Sequence, residues 1–270
     1  MPAIRTFLRM SIYLLPLLTI PLLPHVLPSS QGTPTNNLQV NLAINYGNGT
    51  AVWYNGTSIP TDSNFFNVTT LVTNNNTGAI FFASFGSHFV YSINGVGCPA
   101  SNPFCDVAWS FWTLDGICWD PAQVGVDHVS VSQPTTAGWT LTTVNEFGQV
   151  PPTGQTCLDA SIDVKPGNSQ NTISLSSRGS IPVAILTTST LNARTVNPST
   201  VRFGRTGTEA APTQWALEDV NGDGKLDLVL HFNTQATGFQ AGDAQAILMG
   251  RTLNGTPFRG TDTINTILHN

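Results

Sequence analysis

The chain has 270 residues, only 9% of them charged, and a formal net charge of −5, so its polar surface must be built from Asn, Thr, Ser and Gly. That excludes a nucleic-acid binder, which needs clustered Lys and Arg, a helical bundle, which needs Ala/Glu/Lys/Leu runs, and a disordered chain, which combines high charge with few aromatics. With 40% hydrophobic residues the sequence reads as an exported β-rich protein, mainly β in class.

Residues 1–32 have the layout of a secretory signal. Arg5 and Arg9 precede an apolar run, Met10–Leu23, and then the polar Ser29-Ser30-Gln31-Gly32. The run falls short of the about 20 residues of a membrane span, and Pro16, Pro21 and Pro24 weaken a long helix. A cleaved signal peptide is the first reading and a retained N-terminal anchor the second. Both send the remainder to the cell surface or the extracellular space. A membrane contact is expected only through an uncleaved N-terminal segment.

No Lys or Arg occurs between Arg9 and Lys165, whereas eight follow from Lys165 onward. This shift, with the Pro/Gly-rich stretch Gly148–Gly154, places a boundary between a domain over 38–158 and another over 159–270. In the first, Leu38–Tyr46 alternates apolar and polar residues as a half-buried strand does. Val52–Tyr54 starts a second strand, with a turn expected at Asn55-Gly56. Ser63 or Asn64 caps a short helix running to Thr70. Ala79–Ser84 and His88–Ile93 read as strands, and Val107–Leu114 as the most buried one, turning at Asp115-Gly116. Val129–Val131 and Trp139–Asn145 complete the sheet.

The segments VNLAINYGNGT, FFNVTTLV, FVYSINGV and WSFWTLDGICWDPAQVGVD resemble the transcobalamin C-terminal-like family, over about Val40–Val131. The resemblance implies a β-grasp: a mixed sheet wrapped around one helix. It departs at the end, where Pro134–Gly138 replaces the usual Gly-Asp before the last strand. Vertebrate members cover one face of cobalamin with this module and close the pocket with a helical domain. No such helical domain is present here, so corrinoid binding enters as an alternative function only. Of the aromatics, Trp109 and Phe111 share a strand face and read as core. Trp112 and Trp119 are the ligand-stacking candidates.

In the second domain, short strands at Ala160–Val164, Ile173–Leu175, Ile181–Leu186, Val201–Phe203, Gln214–Leu217, Leu226–Phe232 and Ala244–Met249 suggest a β-sandwich. After Gln214–Leu217, and running into Leu226–Phe232, comes Asp219-Val-Asn221-Gly-Asp223-Gly224-Lys225-Leu-Asp227, which fits the first half of a calcium loop. Ca²⁺ takes six to eight oxygens. Asp219, Asn221, Asp223 and Asp227 offer side chains, and Lys225 a carbonyl. Leu230 stands where an EF-hand has a bidentate Glu, and strands flank the loop, so a structural site is expected, with Glu218 or Asp243 as further donors. The rival is a metal-free polar turn. SIDVKPGNSQNTISLSSRGSIPVAILTT, LEDVNGDGKLDLVLHF and FQAGDAQAILMGRTLNGTPFRGTD resemble a secreted microbial accessory domain whose loop is similar to those of dockerin and integrin repeats.

The four cysteines point to disulfides. Cys98 with Cys105 closes a short loop, leaving Cys118 with Cys157. A zinc site lacks a CxxC pair and has only His128 nearby. Asn48, Asn55, Asn67, Asn75 and Asn254 begin N-glycosylation sequons. No HExxH, G-x-S-x-G, P-loop or dinucleotide fingerprint occurs. His88 and His231 read as structural, and Asp127-His128 as neighbours facing opposite ways. Asp115 and Asp120, flanking Trp119, are the one hint of a carbohydrate hydrolase. The leading expectation is therefore a non-enzymatic exported protein with structural calcium, meeting a surface protein, glycan or small ligand.

Overall fold

The alternation of β1 (Asn37–Asn45) buries Val40, Leu42 and Ile44 completely on one face. In this computed structural model residues 37–268 are described; the expected signal segment, residues 1–32, lies outside them. The partner strand β2 (Ala51–Pro60) runs antiparallel to β1 and continues through Asn55-Gly56. The dipeptide makes a β-bulge there instead of the expected turn. The register shifts between Val40 and Leu42, and Gly56, at φ +63, donates its N–H to Asn41 Oδ1 at 2.9 Å.

Helix α1 (Phe65–Val72) starts where its cap predicts. Asn64 Oδ1 accepts the Asn67 N–H at 3.0 Å, and Asn67 Oδ1 accepts the Asn64 N–H at 3.2 Å. Phe65 and Val68 turn inward. Thr69 Oγ1 takes the indole N–H of Trp139 at 2.9 Å, which ties the helix to the sheet. The strands β3 (Thr77–Phe82), β4 (Ser87–Ile93) and β5 (Val96–Gly97) form a small antiparallel sheet. Next come β6 (Val107–Asp115), β7 (Cys118–Pro121) and β8 (Thr135–Thr143). The main sheet has the order β2-β1-β8-β6-β7, with β8 parallel to β1 and the other pairs antiparallel. A mixed sheet with one helix on its face is the β-grasp arrangement. Val129–Val131 is not a strand. It follows a 3-10 turn at Val126–His128 and makes one bridge, Asn64 to Ser130, while Val126 and Val131 are buried in the core beneath the helix.

The second half has ten strands: β9 (Leu158–Asp159), β10 (Ile162–Val164), β11 (Thr172–Ser174), β12 (Ser180–Ile185), β13 (Val196–Gly204), β14 (Pro212–Glu218), β15 (Asp227–Asn233), β16 (Gln245–Thr252), β17 (Pro257–Thr263) and β18 (Asn265–Ile267). Sheets β10-β12-β15-β14 and β13-β16-β17-β9 enclose one core. Val183, Leu230 and Phe232 enter it from the first sheet; Phe203, Leu248 and Phe258 enter it from the second, all fully buried. This is a sandwich, with inward residues alternating along β12, β15 and β16.

The boundary near residue 158 separates two hydrophobic cores but is no free linker, because Asn36–Asn270 form one compact unit. Arg259 of β17 reaches back to the β6–β7 hairpin. Its guanidinium donates to both oxygens of Asp120 at 2.8 Å and to Asp115 at 3.2 Å. Asp115 and Asp120 are thus the partners of an inter-half ion pair. The Pro/Gly-rich stretch after β8 straps the back of the main sheet. Asn45 Nδ2 donates to the Pro152 carbonyl, the Gly148 N–H to Ser110 Oγ, and Trp119 Nε1 to Thr153 Oγ1, at 3.1, 2.8 and 3.1 Å. Two disulfides, Cys98–Cys105 and Cys118–Cys157, complete the framework as expected. No helix among the described residues is long and apolar enough to cross a membrane, which leaves β-barrels unaddressed.

Candidate functional site

A chain poor in charge still exposes several phenylalanines on one side of its first half. Phe82 ends β3, and Phe85 stands at the tip of the β3–β4 hairpin with 77% of its surface exposed. The tip closes through the N–H groups of Phe85 and Gly86, donated to the carbonyls of Phe82 and Ala83, with Gly86 at φ +61. Phe89 of β4 faces Phe104, held in place one residue before Cys105 and its disulfide. Their ring centroids are 5.0 Å apart, and Phe82 lies 6.0 Å from Phe104. Across from them are Val124 and Phe147, both 55% exposed. Phe82, Phe85, Phe89, Val124 and Phe147 wall a cleft of about 820 Å³ whose lining also includes His88 and His128, with Phe104 packed behind Phe82 and Phe89. A recess of about 270 Å³, lined by Trp109, Phe111 and Trp139, opens against the same residues. Volumes of this order suit small-molecule sites with apolar walls and a few placed polar groups.

The placed polar groups form a cluster that the sequence conceals. Asp127 does not work with its neighbour His128. Its Oδ1 lies 3.0 Å from His88 Nδ1, and its Oδ2 accepts the Ser87 hydroxyl at 2.8 Å and the His88 N–H. The His88 ring stacks flat on Phe66, centroids 4.0 Å apart. Burial pulls the Asp127 carboxyl upward, but the His88 N–H, the Ser87 hydroxyl and the His88 imidazole outweigh it and hold it below the usual range. With Nδ1 engaged, His88 keeps Nε2 available for another partner. Gly125 makes the contact possible, because a Cβ there would fall on the Ser87 side chain.

A carboxyl lowered in the folded state contributes stability above its unfolded pKa of about 3.9, lost as pH falls through the folded value. Asp127→Asn is therefore expected to lower the urea midpoint at pH 7, and the gap from the parent to close below about pH 4. Midpoints measured from pH 3 to 7 check this; a constant gap would assign the loss to packing.

Trp112 and Trp119 are corrected as ligand platforms: they are 0% and 5% exposed. Both lie in a small back-face cluster with Ala43, on the side crossed by the strap. Trp109 and Phe111 are core residues, at 3% and 8%. The five sequon asparagines, Asn48, Asn55, Asn67, Asn75 and Asn254, are all exposed.

The loop between β14 and β15 has the backbone a calcium loop needs, with Gly222 at φ +76 and Gly224 at φ +82. Asp219 accepts the N–H groups of Gly222, Asp223 and Gly224, at 2.8, 3.2 and 3.0 Å. Asn221 accepts that of Asp223, and Asp223 that of Lys225. The Lys225 N–H is the main influence holding the Asp223 carboxyl low. Asp227 is fully buried and turned to the loop's base, where it takes the N–H groups of Thr187 at 2.8 Å and Val220 at 3.3 Å. Asp243 is engaged by Arg205 at 3.3 Å, and Glu218 is exposed. Among the described residues no three His, Cys, Asp or Glu side chains converge as a metal-holding group. The turn geometry and donor types thus fit calcium, whereas Asp227 faces the protein instead of the other carboxylates.

No family model matches the chain, and no curated protein does. Among solved structures, haptocorrin in complex with Cbi is 14% identical, over 41% of this chain and 26% of its own, at a TM-score of 0.32. The chain thus spans about a quarter of that protein's length. A metal-binding candidate protein from Ruminococcus gnavus ATCC 29149 is 15% identical over 39% of this chain and 97% of its own, at 0.30. BcpA, the major pilin subunit of Bacillus cereus, is 12% identical over 86% and 69%, at 0.19. These are weak resemblances of fold.

Proposed function

We propose that the chain is an exported, non-enzymatic binding protein whose first half holds a small apolar ligand in the cleft between the β3–β4 hairpin and the segment after β7. The observation that carries this reading is the cleft itself, about 820 Å³ with aromatic walls on a rigid, disulfide-tied scaffold. An exposed apolar concavity of this kind marks a binding site more often than a bare surface. Export is supported by two disulfides in a chain with no free cysteine. The Asp127–His88–Ser87 cluster serves as a fixed polar contact, because Ser87 donates to Asp127 and so is not a nucleophile activated by His88. Ligand-observed NMR with small aromatic compounds, and a spectral titration with a corrinoid, test the site. Val124→Arg should abolish binding while leaving the thermal midpoint unchanged, because Val124 is exposed. Binding that survives the substitution would place the ligand elsewhere.

A structural calcium ion in the 219–227 loop is the second part of the proposal. Asp227 favours it: a fully buried carboxylate with two N–H donors and no Lys, Arg or His partner among the described ion pairs. A buried anion without a countercharge is costly. Asp219, Asn221, Asp223 and the Lys225 carbonyl would hold the ion, with Asp227 bracing the loop beneath them. The ion would supply positive charge to a loop dense in carboxylates.

A further inference from the structure

We infer that the cleft selects an apolar cation, a hydrophobic amine or quaternary ammonium, over a neutral compound of the same shape. This rests on the cleft being a ligand site at all, and it adds the charge of the ligand. The walls are phenyl rings: Phe82, Phe85, Phe89 and Phe147, with Phe104 packed on Phe82 and Phe89. Each ring presents a negative π-face, and several rings facing one space form a cage for a positive charge. The surrounding chain offers no competing fixed cation, since residues 10–164 contain no Lys or Arg. The fixed charges nearest in the chain are acidic. Glu146 precedes Phe147, Asp106 follows Phe104 by two positions, and Asp127 stands behind His88. Arg259, which does approach this half from the other, is occupied by Asp120 and Asp115. An anionic ligand would find no fixed positive partner in the lining, and a neutral one would gain dispersion from the rings but no electrostatic attraction.

The test compares phenyltrimethylammonium with its neutral isostere tert-butylbenzene on the full chain at pH 8, above the ordinary imidazole range of about 6.5. Ligand-observed NMR gives both dissociation constants. The cation should bind about tenfold more tightly, in keeping with a desolvated cation–π contact. Phe85→Leu combined with Phe147→Leu removes two of the four wall rings, so it should reduce the preference and keep the neutral compound bound, because leucine preserves apolar bulk without a π-face. Both side chains are more than half exposed, 77% and 55%, so the fold should tolerate the change; an unchanged thermal midpoint confirms it. Equal affinity for the two probes would overturn the cation inference and leave the ligand cleft standing. Binding of neither probe at millimolar concentration would overturn both. A cation preference undiminished by the double substitution would also overturn the role given to the rings.

Discussion

Asp227→Ala should destabilise the second half by about 3–5 kcal/mol even in chelator, since each hydrogen bond to a buried charged group contributes about 1.5–3 kcal/mol. The carboxylate is fully buried, and its loss would orphan the N–H groups of Thr187 and Val220. Asp223→Ala should behave differently, because Asp223 sits on the exposed rim and bonds only within its own turn and to Lys225. Melts of the parent in chelator and then in calcium at a hundredfold above Kd should differ by roughly 5–10 °C. Asp223→Ala should remove that difference and leave the chelator midpoint nearly unchanged. A parent melt indifferent to calcium would reduce the loop to a polar turn, while the Asp227→Ala loss would remain.

Replacing Cys118 and Cys157 by serine is the second large effect, at about 4 kcal/mol from the loop-closure entropy of 39 residues. The same change at Cys98 and Cys105, only 7 apart, should cost about 2 kcal/mol. Urea unfolding of each double variant gives the order directly. If the short loop proved the costlier, its role in seating Phe104 would outweigh closure entropy.

Much of the fold was legible because local signals agree with it. The alternation of β1, the Asn64 cap of α1 and the Asp115-Gly116 turn each act within a few residues. The sheet of β12 and β15 was legible from apolar runs. β17 was not, because PFRGTDT carries little alternation and owes its place to pairing with β16. Trp112 was misjudged for a related reason. In strand register it lies on the face opposite Trp109, and that face would be open but for a strap that reads in sequence as a linker. The His88–Asp127 contact joins residues 39 apart and follows no spacing rule. The phenylalanines were visible in the sequence, but only the β3–β4 hairpin and the segment after β8 bring Phe82, Phe85, Phe89 and Phe147 to one cleft.

The Cys118–Cys157 bond also sets how tension would travel along the molecule. Residues 119–156 form a closed covalent ring that contains β8, the strand parallel to β1 at the centre of the main sheet. Pulled from its two ends, the oxidised chain carries load from Cys118 straight to Cys157. The ring stays slack, and about 130 Å of contour is withheld from extension. Reduction would release that hidden length, so the oxidised protein is a shorter and stiffer tether than its residue count implies.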